Sequence, residues 1–246
     1  MRVAALYDIH GNLPALEAVL RDVDDVGVDR IVVGGDVVPG PMPGECLDLL
    51  RELSCPLDLL SGNGEREVLA SRRGAESEHL PDAVRASIRW VAGSLSPEQL
   101  RWLESWPSSV SLDVDGQQVL FCHATPRNDF EIFTPRTPEE RLLPVFRDVA
   151  EDLVVCGHTH MQFQRSIGGR TVVNAGSVGM VFGDPGACWL LLAPDVRPRR
   201  SLYDLEAAAE RVRRTSYPQA ESFADVNVLA PPSEASMIES LERAAL

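Results

Sequence analysis

VAALYDIHGN, residues 3–12, is a five-residue apolar run that stops abruptly at an aspartate and a histidine two positions apart. A run this short with β-branched and aromatic members reads as a buried strand, Val3 to Tyr7. From Asn12 to Val26 the spacing changes to that of a helix, with Leu13, Leu16, Val19, Leu20 and Val23 on one face. Asn12 is placed to cap it and Pro14 to sit in its first turn. The same grammar repeats. Ile31 to Val33 is a second strand, Glu45 to Leu53 a second helix and Leu57 to Leu60 a third strand. Strands alternating with helices at this interval predict parallel βαβ units and an α/β fold.

Farther along, residues 65–106 turn polar, charged and helical, with Trp90, Trp102 and Trp106 as their large apolar residues. Ser96-Pro97-Glu98 carries the signature of a helix start. The stretch reads as a small helical cap inserted beside the main sheet. Val110 to Val114 and Val119 to Cys122 flank Asp115-Gly116, a hairpin signal. Thr137 to Val149 has helical spacing. Val154 to Cys156, Phe163 to Ile167, Thr171 to Val173 and Cys188 to Leu192 read as strands, with a second hairpin turn at Gly168-Gly169. A helical extension occupies 204–246, with helices at 205–215, 218–226 and Glu234 to Ala245. Pro231-Pro232 sets off the last one, which is expected to be loose or used for association. One domain over 1–246 is the expected organisation.

The chain of 246 residues carries 37 acidic and 23 basic residues, a net charge of −14. All of the basic residues are arginine, so chemistry that needs a lysine nucleophile, base or phosphate clamp is excluded. The acidic balance argues against polymeric nucleic acid and anionic membrane surfaces as partners. No run reaches the length of a membrane span, and the first apolar run is too short for a signal peptide, so a cytoplasmic location is expected. Five cysteines without a CxxC pair argue against a disulfide framework, and Cys122 and Cys156, each ending an apolar run, read as small buried hydrophobes.

The chemistry gathers where the strands end. Asp8 and His10 follow the first apolar run and Asp36 the second. Asn63 follows the third, His123 the run VLFC, and His158 with His160 the run LVVCG. Ligands in α/β folds bind at the carboxyl edge of the sheet, and these seven oxygen and nitrogen donors all fall there. Asp8/His10 and His158/His160 are spaced so that an extended backbone sends both members to one side. Imidazoles mixed with carboxylates suit a transition metal. Seven donors exceed one tetrahedral ion and match two ions sharing a carboxylate. His79, within GAESEHLPD, reads as a solvated surface residue. Gly34-Gly35 lacks the remainder of a dinucleotide fingerprint.

Taken in order, DIHGN (8–12), GGD (34–36), GNGE (62–65), CHA (122–124) and GHTH (157–160) resemble the motifs of the calcineurin-like metallophosphoesterase superfamily. NAGSVG (174–179) is similar to a stretch of its small bacterial and archaeal phosphodiesterase branch, with Ala175 where that branch has proline. The resemblance implies a four-layer α/β/β/α sandwich, the metallo-dependent phosphatase-like fold. It implies two divalent transition-metal ions, manganese foremost, with iron, zinc or nickel as alternatives. Asp8, His10 and His160 would hold the first ion. Asn63, His123 and His158 would hold the second, and Asp36 would bridge them. A hydroxide between the ions would attack the phosphorus of a small phosphodiester. Asp36, Asn63 and Arg127 are the residues expected to act in catalysis, Arg127 by holding a phosphate oxygen.

One position departs from the superfamily pattern. Where its phosphatases carry a histidine that protonates the leaving group, this chain has Gly64. General acid catalysis contributes ~10²–10⁴ in rate, and its absence penalises alkyl monoesters most. Glu65, or an arginine such as Arg66 or Arg127, is expected to compensate in part. A dinucleoside polyphosphate or nucleotide pyrophosphohydrolase is the alternative reading, because a phosphate leaving group needs less help from an acid. A third reading, a non-catalytic scaffold acting through protein contacts, is set against the intact ligand set. A homo-oligomer is compatible with every reading.

Overall fold

The computed structural model describes residues 1–246. Ten strands form two five-stranded sheets. In the first, β1 (Val3–Leu6), β2 (Arg30–Val33) and β3 (Leu57–Leu59) run parallel, and β9 (Ala187–Leu192) and β10 (Val196–Ser201) add antiparallel on the other side of β1. In the second, β5 (Gln117–Cys122), β6 (Leu153–Cys156) and β8 (Arg170–Ala175) are parallel. The hairpin partners β4 (Ser109–Val114) and β7 (Gln162–Ile167) close its edges.

Alternation along β1 builds the layers. Val3, Ala5 and Tyr7 point into the core between the sheets, where they meet Val119, Phe121, Val155 and Val173 of the second sheet. Ala4 and Leu6 point the other way, onto α1 (Leu13–Val26) and α2 (Pro43–Arg51). A strand buried on both faces must be apolar throughout, which is why the opening run has no polar member. The outer face of the second sheet packs on α6 (Glu139–Phe146) through Leu142, Val145 and Phe146. Helix, sheet, sheet, helix is therefore the order of layers, as the motifs implied.

The cap stretch forms α3 (Asn63–Arg72), α4 (Asp82–Ser94) and α5 (Pro97–Glu104). Val68, Ile88, Val91, Leu95, Leu103 and Trp106 join the core on the outer face of the first sheet, so the cap extends the same helical layer. Ser96 and Gln99 make a reciprocal capping box on α5. In the extension, α7 (Leu205–Arg213), α8 (Ala220–Phe223) and a π-helical turn at Ala224–Leu229 bury a small core with Met42. No helix is long and apolar enough to cross a membrane.

Two readings change. Strand β10 was unanticipated because VRPRRS holds a proline and three arginines. It lies at the sheet edge, where proline costs no ladder bond to a second neighbour. The last helix, expected over Glu234 to Ala245, runs Glu234–Leu241 as α9 and buries no side chain. Glu242 accepts a hydrogen bond from Thr134, the Leu246 amide donates to Ile132 O at 2.9 Å, and Gly183 N donates to Pro232 O at 2.9 Å.

Candidate metal centre

The five loops leaving β1, β2, β3, β5 and β6 converge at one edge of the sandwich. Six non-glycine residues in the chain have positive φ: Asp8, His10, Asp36, His158, His160 and Asp115. Asp115 belongs to the predicted Asp-Gly hairpin turn. The other five are all predicted ligands. A side-chain-bearing residue held there costs roughly 1–3 kcal/mol, and such strain clusters where function requires a fixed direction. Each loop is strapped by hydrogen bonds. His10 N donates to Asp36 O at 2.8 Å, Gly157 N to His123 O at 2.8 Å, and Ser177 Oγ to Asp8 O at 2.7 Å.

The side chains form two overlapping groups, Asp8 with His10 and His160, and Asp8 with Asp36 and His123. His10 Nε2 faces His160 Nε2 at 3.1 Å and Asp36 Oδ2 at 3.7 Å. His123 Nε2 lies 3.6 Å from Asp36 Oδ1 and 3.1 Å from Asn63 Oδ1. Asp36 thus presents one oxygen to each histidine, the arrangement expected of a shared carboxylate. Asp8 Oδ1, fully buried, has no hydrogen-bond donor, and it sits 3.4 Å from His160 Nε2 and 3.9 Å from His10 and His123 Nε2. An orphaned carboxylate oxygen ringed by imidazole nitrogens is costly without a cation, so the residues present fit divalent metal.

Backbone carbonyls orient the rings. His123 Nδ1 bonds Gly34 O at 2.9 Å and His10 Nδ1 bonds Pro39 O at 3.1 Å, which leaves the Nε2 lone pairs free to face inward. His158 Nε2 bonds Phe130 O at 3.2 Å, so Nδ1 is its available nitrogen. His158 is therefore close to His123, ring to ring at 5.2 Å, but outside the two tight groups. Electrostatics follow this geometry. Burial pushes Asp8 up, but His160, His123 and His10 hold it well below the carboxylate range. Burial works to depress His123, and Asp36 and Asp8 outweigh it, raising the ring. Burial and the His160 charge depress His10, while burial and the His123 charge bring His158 down to about 4. An imidazole that stays neutral is the form that binds metal.

Glu65 does not replace the missing acid. It is fully buried, and its carboxylate accepts from the amides of Asp36, Val37, Val38 and Gly62 at 2.7–3.2 Å. Burial and the neighbouring Asp36 push it up to about 7. Its work is to clamp the β2 and β3 loops together. Arg66 is paired with Asp129 at 2.7 Å and Glu67 at 2.7 Å. Arg127 lies in the wall of a 730 Å³ cavity that reaches His123, with Glu131 engaging its Nε at 2.7 Å and its Nη2. It makes no hydrogen bond or ion pair with any of the seven expected ligands. His79 is exposed, and the five cysteines are free, four of them buried.

Some supporting residues were not singled out from the sequence. Phe182 stacks on His160 at 5.5 Å. Asn174 donates to Gly157 O at 2.6 Å and Thr159 Oγ1 at 3.0 Å, fixing the loop between the last two histidines. Its position in NAGSVG was the available signal. Phe182 had none.

Residues 1–195 match the calcineurin-like phosphoesterase superfamily domain. An uncharacterized protein of Methanocaldococcus jannaschii is 34% identical over 181 residues, covering 72% of this chain and 69% of that protein. The crystal structure of a metallophosphoesterase from Sphaerobacter thermophilus superposes with a TM-score of 0.71 at 29% identity, covering 94% of this chain and 98% of that one. A hypothetical protein from Pyrococcus horikoshii OT3 shares the fold, with a TM-score of 0.81 at 19% identity over 94% of this chain and 99% of that chain.

Proposed function

The chain belongs to the calcineurin-like phosphoesterase superfamily, and from that premise we propose that it hydrolyses a small phosphodiester with two divalent ions, manganese foremost. Asp8, His10 and His160 would hold one ion, Asn63, His123 and His158 would hold the other, and Asp36 would be shared. The observation that carries this reading is Asp36, whose two oxygens face His10 and His123 separately at 3.7 and 3.6 Å. When bound, the ions supply Lewis acidity and a water acidic enough to attack at neutral pH.

The chain's own residues set the rest. Gly34 O and Pro39 O keep Nε2 of His123 and His10 unprotonated and aimed inward. Glu131 holds Arg127 by Nε and Nη2, so Nη1 is the nitrogen available to a phosphoryl oxygen. Water adds to phosphorus, one P–O ester bond breaks, and the leaving oxygen takes its proton from solvent, since Gly64 offers none and Glu65 is engaged. The reaction should then depend steeply on leaving-group acidity. The same feature favours a second reading, hydrolysis of a phosphoanhydride in a nucleotide polyphosphate.

The test is turnover of bis(p-nitrophenyl) phosphate, p-nitrophenyl phosphate and a dinucleoside polyphosphate with Mn²⁺. Diester turnover well above the others supports the proposal. Faster monoester turnover contradicts it, and anhydride turnover alone selects the second reading.

A further inference from the structure

Two unlike cavities open onto the metal centre. The larger, 730 Å³, reaches it at His123 and is lined by Arg66, Arg73 and Arg127, each paired with a carboxylate, and by Glu104 and Asp129. The smaller, 260 Å³, reaches it at His10, Asp36 and Asn63. Its far wall is apolar: Leu80, Val84 and Ile88 from the cap, Met180 from the loop after β8, and Tyr217 from the extension. No arginine lines it, and its charged side chains besides the histidine are Asp36 and Glu67, both acidic. The wall is built rather than accidental. Gln219 donates to Ala83 O at 2.9 Å and Ser87 Oγ at 3.0 Å, tying the extension to α4. Tyr217 is held edge-on by Trp90 at 5.4 Å and Phe223 at 6.3 Å.

We infer that the smaller cavity receives an uncharged, apolar substituent of the substrate phosphorus, an aryl group or a branched alkyl of similar bulk, while a polar or anionic arm lies in the arginine-lined cavity. The inference rests on the phosphodiesterase reading and names its substrate class, an asymmetric diester. Charge decides the placement. A second phosphate in the smaller cavity would lie against Leu80, Val84, Ile88 and Met180 with no guanidinium in its lining, and burying it there unpaired is unfavourable. Size agrees, because 260 Å³ is just below the ~300 Å³ at which whole-ligand pockets begin. An apolar group in a fitted pocket discriminates by about tenfold or more against a smaller one.

The experiment titrates phenylphosphonate and methylphosphonate into the Mn²⁺-loaded full-length protein by calorimetry. Neither P–C bond is hydrolysed. Phenylphosphonate is expected to bind about tenfold tighter or better. Val84 is 38% exposed, so it tolerates substitution. Val84→Trp, which fills the cavity, and Val84→Asn, which makes it polar, should each bring the phenyl-to-methyl ratio close to unity. Equal affinities in the unsubstituted protein, or a ratio that neither variant moves, overturns the inference. Diester turnover is scored separately. A ratio near one with turnover intact removes the apolar subsite alone. A tenfold ratio without diester turnover removes the phosphodiesterase reading and leaves an apolar ligand pocket at the metal centre.

Discussion

Gly64 stands where superfamily phosphatases carry an acid, and its surroundings explain why no side chain fits. A Cβ there would collide with Pro39 Cγ and lie 2.8 Å from Asp36 Oδ1, while its amide already donates to that oxygen at 2.6 Å. Pro39 of GDVVPG thus occupies the space a side chain at position 64 would need. Restoring the acid by Gly64→His should fail to raise monoester turnover, and should lower both thermal stability and diester activity by displacing Asp36. A rise in p-nitrophenyl phosphate turnover would show that the loop can yield. Glu65 next door makes a different prediction. Glu65→Ala leaves four buried amides without an acceptor, at about 1–3 kcal/mol per unsatisfied group before relaxation. A loss of at least about 3 kcal/mol in urea unfolding is expected; a change under about 1 kcal/mol would mean that other groups hold the two loops together.

Elements carry the ligands only as well as their ends are fixed. Asn12 joins two of them: its Oδ1 accepts from Ala15 N at 3.3 Å to cap α1, and its Nδ2 donates to Gly179 O at 2.9 Å across the edge. Asn12→Ala should cost about 1–2 kcal/mol and weaken diester turnover, because the DIHGN and NAGSVG loops part. Stability falling with turnover unchanged would confine Asn12 to capping. Strands β1 and β6 were legible because a doubly buried strand is uniformly apolar, so the residue type that breaks the run marks its end. Both hairpins were legible because Asp115-Gly116 and Gly168-Gly169 adopt the positive φ their residue types favour. Strand β10 was not, because its pairing with β9 satisfies a backbone whose side chains say nothing of a strand. The seven predicted donors do gather at one edge, but the loops beside them decide the rest. Glu131 holds Arg127 by two of its nitrogens and backbone amides claim Glu65. Neither partner can be read without the fold.

At the scale of the whole molecule, an acidic chain with no lysine buries Asp8, Asp36 and Glu65 at one sheet edge. The arrangement is incomplete without cations: Asp8 Oδ1 and His160 Nδ1 are buried with no hydrogen-bond partner. Metal should therefore stabilise the fold as well as enable it. A ligand at one hundred times its dissociation constant contributes about 2.7 kcal/mol per site, so chelation should lower the melting temperature by several degrees and Mn²⁺ should restore it. Identical melting curves with and without chelator would mean that the edge is satisfied by protein groups alone. The apolar cavity belongs to this scale too, since its wall needs the cap, the loop after β8 and the extension together.

The central claim is two ions sharing Asp36 at the sheet edge, acting on a phosphodiester. Its most direct measurement is a titration of metal-free protein with Mn²⁺ while hydrolysis of bis(p-nitrophenyl) phosphate is followed. Turnover is expected to rise to a plateau at two equivalents per chain, and Asp36→Asn to abolish the rise. A plateau at one equivalent, or an Asp36→Asn protein as active as its parent, would contradict that claim.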